Sequence, residues 1–318
     1  MSNKNRYIPA KAAAFLLALT LFSAPLVACS NTNSSQSNVS NKTNIKESTV
    51  MTGSINSSKP NKSTITSLSQ INAKFSPTTW HGKEYVKIDE ESLIQIIELA
   101  MEDAKEFYIK NGAPGLTIEN DGKSTKDPNK FYTDWMNKYH FLARAKRESG
   151  NFMINYVGDP VNELGYRAEG IMAIIPQYAS ATLDEYFKTI FNVETNFENT
   201  QLMPNDIDIK NYQTSKQSRE NLKQCVYNSV YTSICYDIYN AKCSGPNHKD
   251  FYEKYGGYDE EIRHKLIISL YLFRREDVLN DLKSGKINQT YFNSSYVKDI
   301  LKFHQNYQNE YENAQQLN

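Results

Sequence analysis

Apolar and polar positions divide the chain into three stretches with different rhythms. An almost unbroken apolar run occupies residues 12–22, and from Ser30 to about Ser76 the chain is rich in Ser, Asn, Thr and Lys, with no aromatic before Phe75 and no apolar period. Beyond residue 80 the period is helical. Leu93, Ile96, Ile97, Ala100 and Met101 fall on one stripe, and Asn111-Gly112 then stops the run as a glycine C-terminus does. A second helix is expected from about Phe131 through Trp135, Tyr139, Leu142 and Ala145 to Glu148, ended by Gly150 and Asn151. Further helices are expected over 178–191, 218–241, 259–282 and 294–311, with little strand signal and no internal repeat. The predicted fold class is mainly α.

The first apolar run follows Lys4, Arg6 and Lys11 and leads into Ser23-Ala24-Pro25-Leu26-Val27-Ala28-Cys29. A charged start, a short apolar centre and a small-residue exit make residues 1–28 a secretory signal. The centre is shorter than the roughly 20 residues a membrane span needs. Leu26-Val27-Ala28-Cys29 resembles the lipobox of bacterial lipoproteins, which implies cleavage before Cys29 and a lipid on that cysteine that anchors the chain to the membrane. Alternatively, Cys29 merely follows a conventional cleavage site; either way the mature domain is extracytoplasmic. Residues 29–79 then read as a disordered tether and residues 80–318 as the folded domain. A leash of this composition reaches about 35–40 Å from its anchor.

Charge narrows the partners. The chain carries 36 basic and 36 acidic residues, and losing the signal leaves 33 against 36, so no basic field argues for nucleic acid. Cys225, Cys235 and Cys243 are the other cysteines, without a C-x-x-C pair for zinc; one disulfide plus a free thiol stays open. No metal or cofactor is expected.

The stretch with chemical content is Ala143-Arg144-Ala145-Lys146-Arg147-Glu148-Ser149-Gly150, followed by Ala168-Glu169-Gly170-Ile171-Met172-Ala173-Ile174-Ile175-Pro176-Gln177-Tyr178-Ala179. It resembles the lytic transglycosylase and goose-type lysozyme family, whose pattern is Glu-Ser at a helix end and then Gly-Leu-Met-Gln-Ile-x-Pro-x-x-Ala. Glu148-Ser149 and Gly170, Met172, Ile174, Pro176 and Ala179 match. Two departures stand out. The family's Gln after Met is Ala173, and its later Ala-Tyr-Asn-Ala-Gly has only Leu270-Tyr271-Leu272 or Tyr239-Asn240-Ala241 as counterparts. Tyr271 is preferred because Leu266-Ile267-Ile268 precedes it, with Tyr239 in reserve; Tyr271 also reads as a plain core residue in a chain with 22 tyrosines. The resemblance covers roughly residues 141–278, and the extra residues between Tyr186 and Ser218 and around 245–257 read as surface elaborations.

The resemblance implies a lysozyme-like helical domain with a substrate cleft, acting on the glycan strands of peptidoglycan at the β-1,4 linkage between N-acetylmuramic acid and N-acetylglucosamine. Glu148 would be the single catalytic acid and base, and Ser149, Gly170, Met172 and Tyr271 would line the substrate. Cleavage requires a proton for the departing sugar oxygen as oxocarbenium character develops. A free glutamate titrates near 4.3, so the neutral form must be favoured by burial, for which Met172, Ile174 and nearby aromatics are candidates. Asp159, Glu163 and Glu169 could offer a second carboxylate but read more simply as solvated loop residues. Ser149 reads as a helix-end bond rather than a nucleophile, since no histidine-based triad is visible. His140, His248 and His264 read as surface residues. Two other readings stay open: a catalytically degenerate binding lipoprotein that keeps the cleft, and a helical binding lipoprotein in which the motif is accidental.

Overall fold

Strand β1 (Phe75–Trp80) and strand β2 (Lys83–Ile88) form an antiparallel hairpin with Phe75 opposite Ile88 and Trp80 opposite Lys83. His81 and Gly82 both adopt positive φ, the two-residue turn that suits the right-handed twist of a hairpin. The computed structural model describes residues 65–113, 115–117, 125–156, 166–243, 260–273, 275–285 and 291–316. Residues 1–28, expected to be a secretory signal, and Cys29, Asp159, Glu163 and His248 lie outside the described residues. The expected start of the domain at residue 80 is moved upstream: Ile71 is buried in the core, and Lys223 Nζ donates to its carbonyl at 2.9 Å.

The remainder is mainly helical. Helix α1 (Glu90–Lys110) begins at Asp89, whose carboxylate accepts from Ser92 N at 3.0 Å, and ends at Asn111 before Gly112 at φ 81°. Of the predicted stripe Leu93, Ile96, Ile97 and Ala100 are buried and Met101 is half-buried, and Ala104 and Tyr108 extend the buried face. It packs on α5 (Lys216–Cys243), and Tyr108 Oη donates to Cys235 O there at 2.9 Å.

Helix α2 (Lys138–Glu148) is shorter than expected at its start. Phe131 and Trp135 are buried, but on a folded loop: Leu116 N donates to Phe131 O and Met136 N to Thr133 O. The helix starts only where the Asn137 side chain accepts from Tyr139 N at 3.0 Å and His140 N at 3.3 Å. Helix α3 (Ala181–Tyr186) is flanked by π turns Pro176–Ser180 and Phe187–Phe191, and a short α4 (Asp206–Asn211) follows. The segment between α3 and α5 is more than surface elaboration, because Phe197, Leu202 and Tyr212 join the core.

In α5 residues 232–238 are buried on every side, which marks the central helix of the unit. Cys225 and Cys235 lie on it as free buried thiols, so neither forms the disulfide that the cysteine count left open. The helix expected over 259–282 is two, α6 (Glu260–Leu272) and α7 (Arg275–Lys283), and α8 (Ser295–Gln316) closes the fold against α2.

Candidate functional site

Glu148 is the last residue of α2 and is 4% exposed. Ser149 completes the helix: its amide and hydroxyl both donate to Ala145 O, at 3.0 and 2.6 Å, and its Oγ accepts from Phe152 N at 2.8 Å. That hydroxyl is thus committed to the helix end. Gly150, Asn151 and Phe152 follow with φ of 60°, 79° and 73°, three consecutive left-handed residues of which two carry side chains. Such a run costs on the order of 1 kcal/mol or more for each non-glycine residue.

Two contacts hold this turn. Downstream, Ile88 N donates to Phe152 O at 3.2 Å and Ile154 N to Val86 O at 2.9 Å, so the chain leaving Glu148 runs antiparallel along β2. Above, the Trp80 ring covers Gly150 so closely that a Cβ there would lie 1.7 Å from Trp80 Cζ3. Glycine is required by both the space and the φ.

The second motif half is a tight loop. Glu169 and Ile174 bond to each other through both amides, at 2.6 and 2.9 Å, with Gly170 at φ 73° and Ala173 at φ 50° between them. Gly170 abuts Ser229 and the carbonyl of Leu202, where an added Cβ would fall 2.6 Å from Ser229 Oγ. Met172 N also donates to Ser229 Oγ at 3.1 Å, which docks the loop on α5. Gly170 and Met172 are buried, Ala173 is half-buried, and Glu169 is half-buried with its carboxyl raised by burial against the opposing charge of Arg167.

Tyr271 of α6 joins the two halves. Its hydroxyl donates to Met172 O at 2.6 Å, and its phenol is held protonated by burial first, with the Glu148 carboxylate adding to that effect and Arg144 opposing it. Tyr296 of α8 also stands close to Glu148. Burial and then the Glu148 charge hold its phenol protonated too, although its Oη does not reach full hydrogen-bond geometry. Sequence reasoning missed Tyr296; only the apolar stripe of α8 could have placed it inward. Tyr239, the reserve candidate, instead lies beneath Arg275 and beside Tyr186 and Tyr236.

Behind Glu148, one turn back on α2, lies a polar network wholly inside the core. Arg144 Nη1 meets Asp237 Oδ2 at 2.6 Å, and its guanidinium carbon sits 3.9 Å from the Tyr271 ring centre. Burial pushes Asp237 up to about 6 while Arg144 pulls it down, so it is ionised at pH 7. His140 Nε2 lies 2.9 Å from the same oxygen, and His140 Nδ1 lies 2.9 Å from His264 Nε2. Burial holds both rings neutral. Arg144 Nη2 also lies 3.1 Å from His140 Nε2, so that nitrogen either donates to Asp237 or accepts from Arg144, with Nδ1 taking the complementary role toward His264 Nε2. The surface expectation for His140 and His264 is therefore overturned. Among the described residues no group of His, Cys, Asp and Glu has the arrangement of a metal site.

What this arrangement can do chemically is proton exchange at one nearly buried carboxyl flanked by two protonated phenols. The structure brings Glu148, Met172 and Tyr271 into one neighbourhood, with Ser149 and Gly170 shaping the backbone around them. No family model, curated protein or solved structure matches this chain.

Proposed function

We propose that the chain is an exported, lipid-anchored lytic transglycosylase with a lysozyme-like domain, which cleaves peptidoglycan glycan strands using Glu148 as both acid and base. One observation carries this reading: the Tyr271 hydroxyl, from a third and distant segment, bonds the Met172 loop while its ring feels the charge of Glu148. An accidental motif would have no reason to converge on the tyrosine that the same motif singles out.

The chemistry follows from the groups present. Protonated Glu148 gives its proton to the glycosidic oxygen as that bond breaks and positive charge spreads over the sugar ring. The resulting carboxylate accepts a hydrogen bond from the Tyr296 phenol, then removes the proton of the sugar's own 6-hydroxyl. That oxygen closes on the anomeric carbon to give a 1,6-anhydro end, and Glu148 is protonated again. Water in place of the 6-hydroxyl would give a reducing end, the lysozyme outcome.

Mass spectrometry of purified walls digested by the chain tests the reading. Muropeptides ending in 1,6-anhydro sugar are expected, and reducing ends would reassign the chain as a hydrolase. A second reading, a degenerate wall-binding lipoprotein, draws on Ala173 in place of the family's glutamine and on the 4% exposure of Glu148; walls bound but left intact would favour it. For the anchor, Cys29→Ser is expected to abolish lipid attachment and membrane partition. Unchanged partition of that variant would contradict a lipid at Cys29.

A further inference from the structure

In the β1–β2 hairpin, Val86 and Ile88 point inward and are 3% and 0% exposed. Alternation then puts Trp80, Thr78, Tyr85 and Lys87 on the opposite, outer face, since Trp80 pairs with Lys83 and Thr78 with Tyr85. An outer face of a small antiparallel hairpin ordinarily carries polar side chains. Here it carries two aromatics, and the chain leaving Glu148 adds a third. Tyr156 stacks on Trp80 with ring centres 5.9 Å apart and planes 24° apart, and sits 6.0 Å from Tyr85. All three rings are half-buried.

This platform is continuous with the Glu148 turn. Trp80 lies directly on Gly150, two residues past Glu148, and Tyr156 ends the segment that Gly150 turns into β2. Hairpin stability alone explains a cross-strand aromatic pair, but not a tryptophan placed so tightly over the turn that only glycine fits beneath it. Flat π faces beside a site for sugar chemistry match the apolar C–H face of a pyranose ring, while leaving its polar edges free for other partners.

We propose that Trp80 and Tyr156, with Tyr85, form a stacking subsite for an N-acetylhexosamine ring of the glycan strand, next to the bond that Glu148 would cleave. This rests on the reading of Glu148 for the identity of the sugar, and its test is a binding measurement that needs no cleavage. The probe is chitotetraose, the tetramer of N-acetylglucosamine, titrated into the full chain carrying Glu148→Gln. The chain has two tryptophans, and Trp135 is buried and stacked on His264 at 4.6 Å, so a change in emission on titration reports Trp80 where it is present, and titration calorimetry measures the affinity of every variant.

Trp80→Ala should weaken binding on the order of tenfold or more, as loss of a central aromatic anchor does, and Trp80→Phe should restore most of it. Because Trp80 also packs on Gly150, Tyr156→Ala supplies a variant that leaves that contact in place; it should weaken binding several-fold with an unchanged melting curve. Saccharide binding that depends on Trp80 and Tyr156 supports the subsite even if the native chain leaves walls uncleaved. No binding of chitotetraose by Glu148→Gln, or equal binding by all three aromatic variants, overturns it.

Discussion

Arg144 and Glu148 stand one turn apart on the same helix in opposite kinds of surroundings. Around Arg144 the backbone is regular, and the charge is answered inside the core by Asp237 at 2.6 Å and by the face of Tyr271. Around Glu148 the backbone departs from its comfortable range for three residues in a row, and two phenols, those of Tyr271 and Tyr296, feel its charge. The first region fixes α2 in place; the second uses that fixed helix to hold a strained turn. Strain of this kind persists only where the surroundings over-determine it. Here the network upstream, the β2 pairing downstream and the Trp80 ring above do so.

The largest expected effect comes from breaking the first region. Arg144→Met leaves Asp237 buried without its cation, so the carboxyl must stay an unpaired charge or take up a proton, and the variant should destabilise the fold by about 3–5 kcal/mol in urea titrations. Adding Asp237→Leu should recover part of that loss, because the orphaned carboxyl is then gone. A change below about 1 kcal/mol in the single variant would mean that the core network does not anchor α2.

Gly150→Ala probes the second region. It places a methyl against Trp80 at a left-handed φ and should cost about 2–3 kcal/mol. Combined with Trp80→Ala, the steric part should vanish and leave mainly the backbone cost, so the two changes should be strongly non-additive. Additive effects would place the Trp80 ring elsewhere in solution.

Acid sharpens the contrast further. His140, His264 and His304 are all held below the ordinary histidine value, chiefly by burial. Each therefore contributes stability that is full above about pH 6.5 and is lost as pH falls, because the unfolded chain then binds protons that the folded chain refuses. Asp237 acts in the opposite sense, favouring the folded state as it takes up a proton near 6. Three histidines against two raised carboxyls, Asp237 and Glu169, give a net fall in melting temperature from pH 7 to pH 5, and His264→Gln should flatten that slope. The smallest effect is expected at Ala173→Gly, which relieves a left-handed alanine and should raise stability by about 0.5 kcal/mol.

Legibility in the sequence followed the range of the interactions. Helix α1 was readable because its stripe, its acidic first turn and its glycine stop are all local. The Glu148 helix end and the order of the two motif halves were readable for the same reason. The hairpin was missed because Pro77 interrupts β1, and its turn is His81-Gly82 rather than a stronger turn pair. The early boundary was missed because Ile71 is buried by contacts with residues about 150 positions away. His140 and His264 were misassigned because a histidine becomes a core residue only when distant partners satisfy it, and those partners sit on α5 and α6.

The most direct test compares the wild-type chain with Glu148→Gln on purified peptidoglycan. The amide keeps the size of the side chain but has no proton to give, so circular dichroism and melting curves should match. Muropeptide release should fall by about 10²–10⁴-fold, the usual worth of general acid catalysis. Release by Glu148→Gln at the wild-type rate would contradict the assignment of Glu148 as the acid and base.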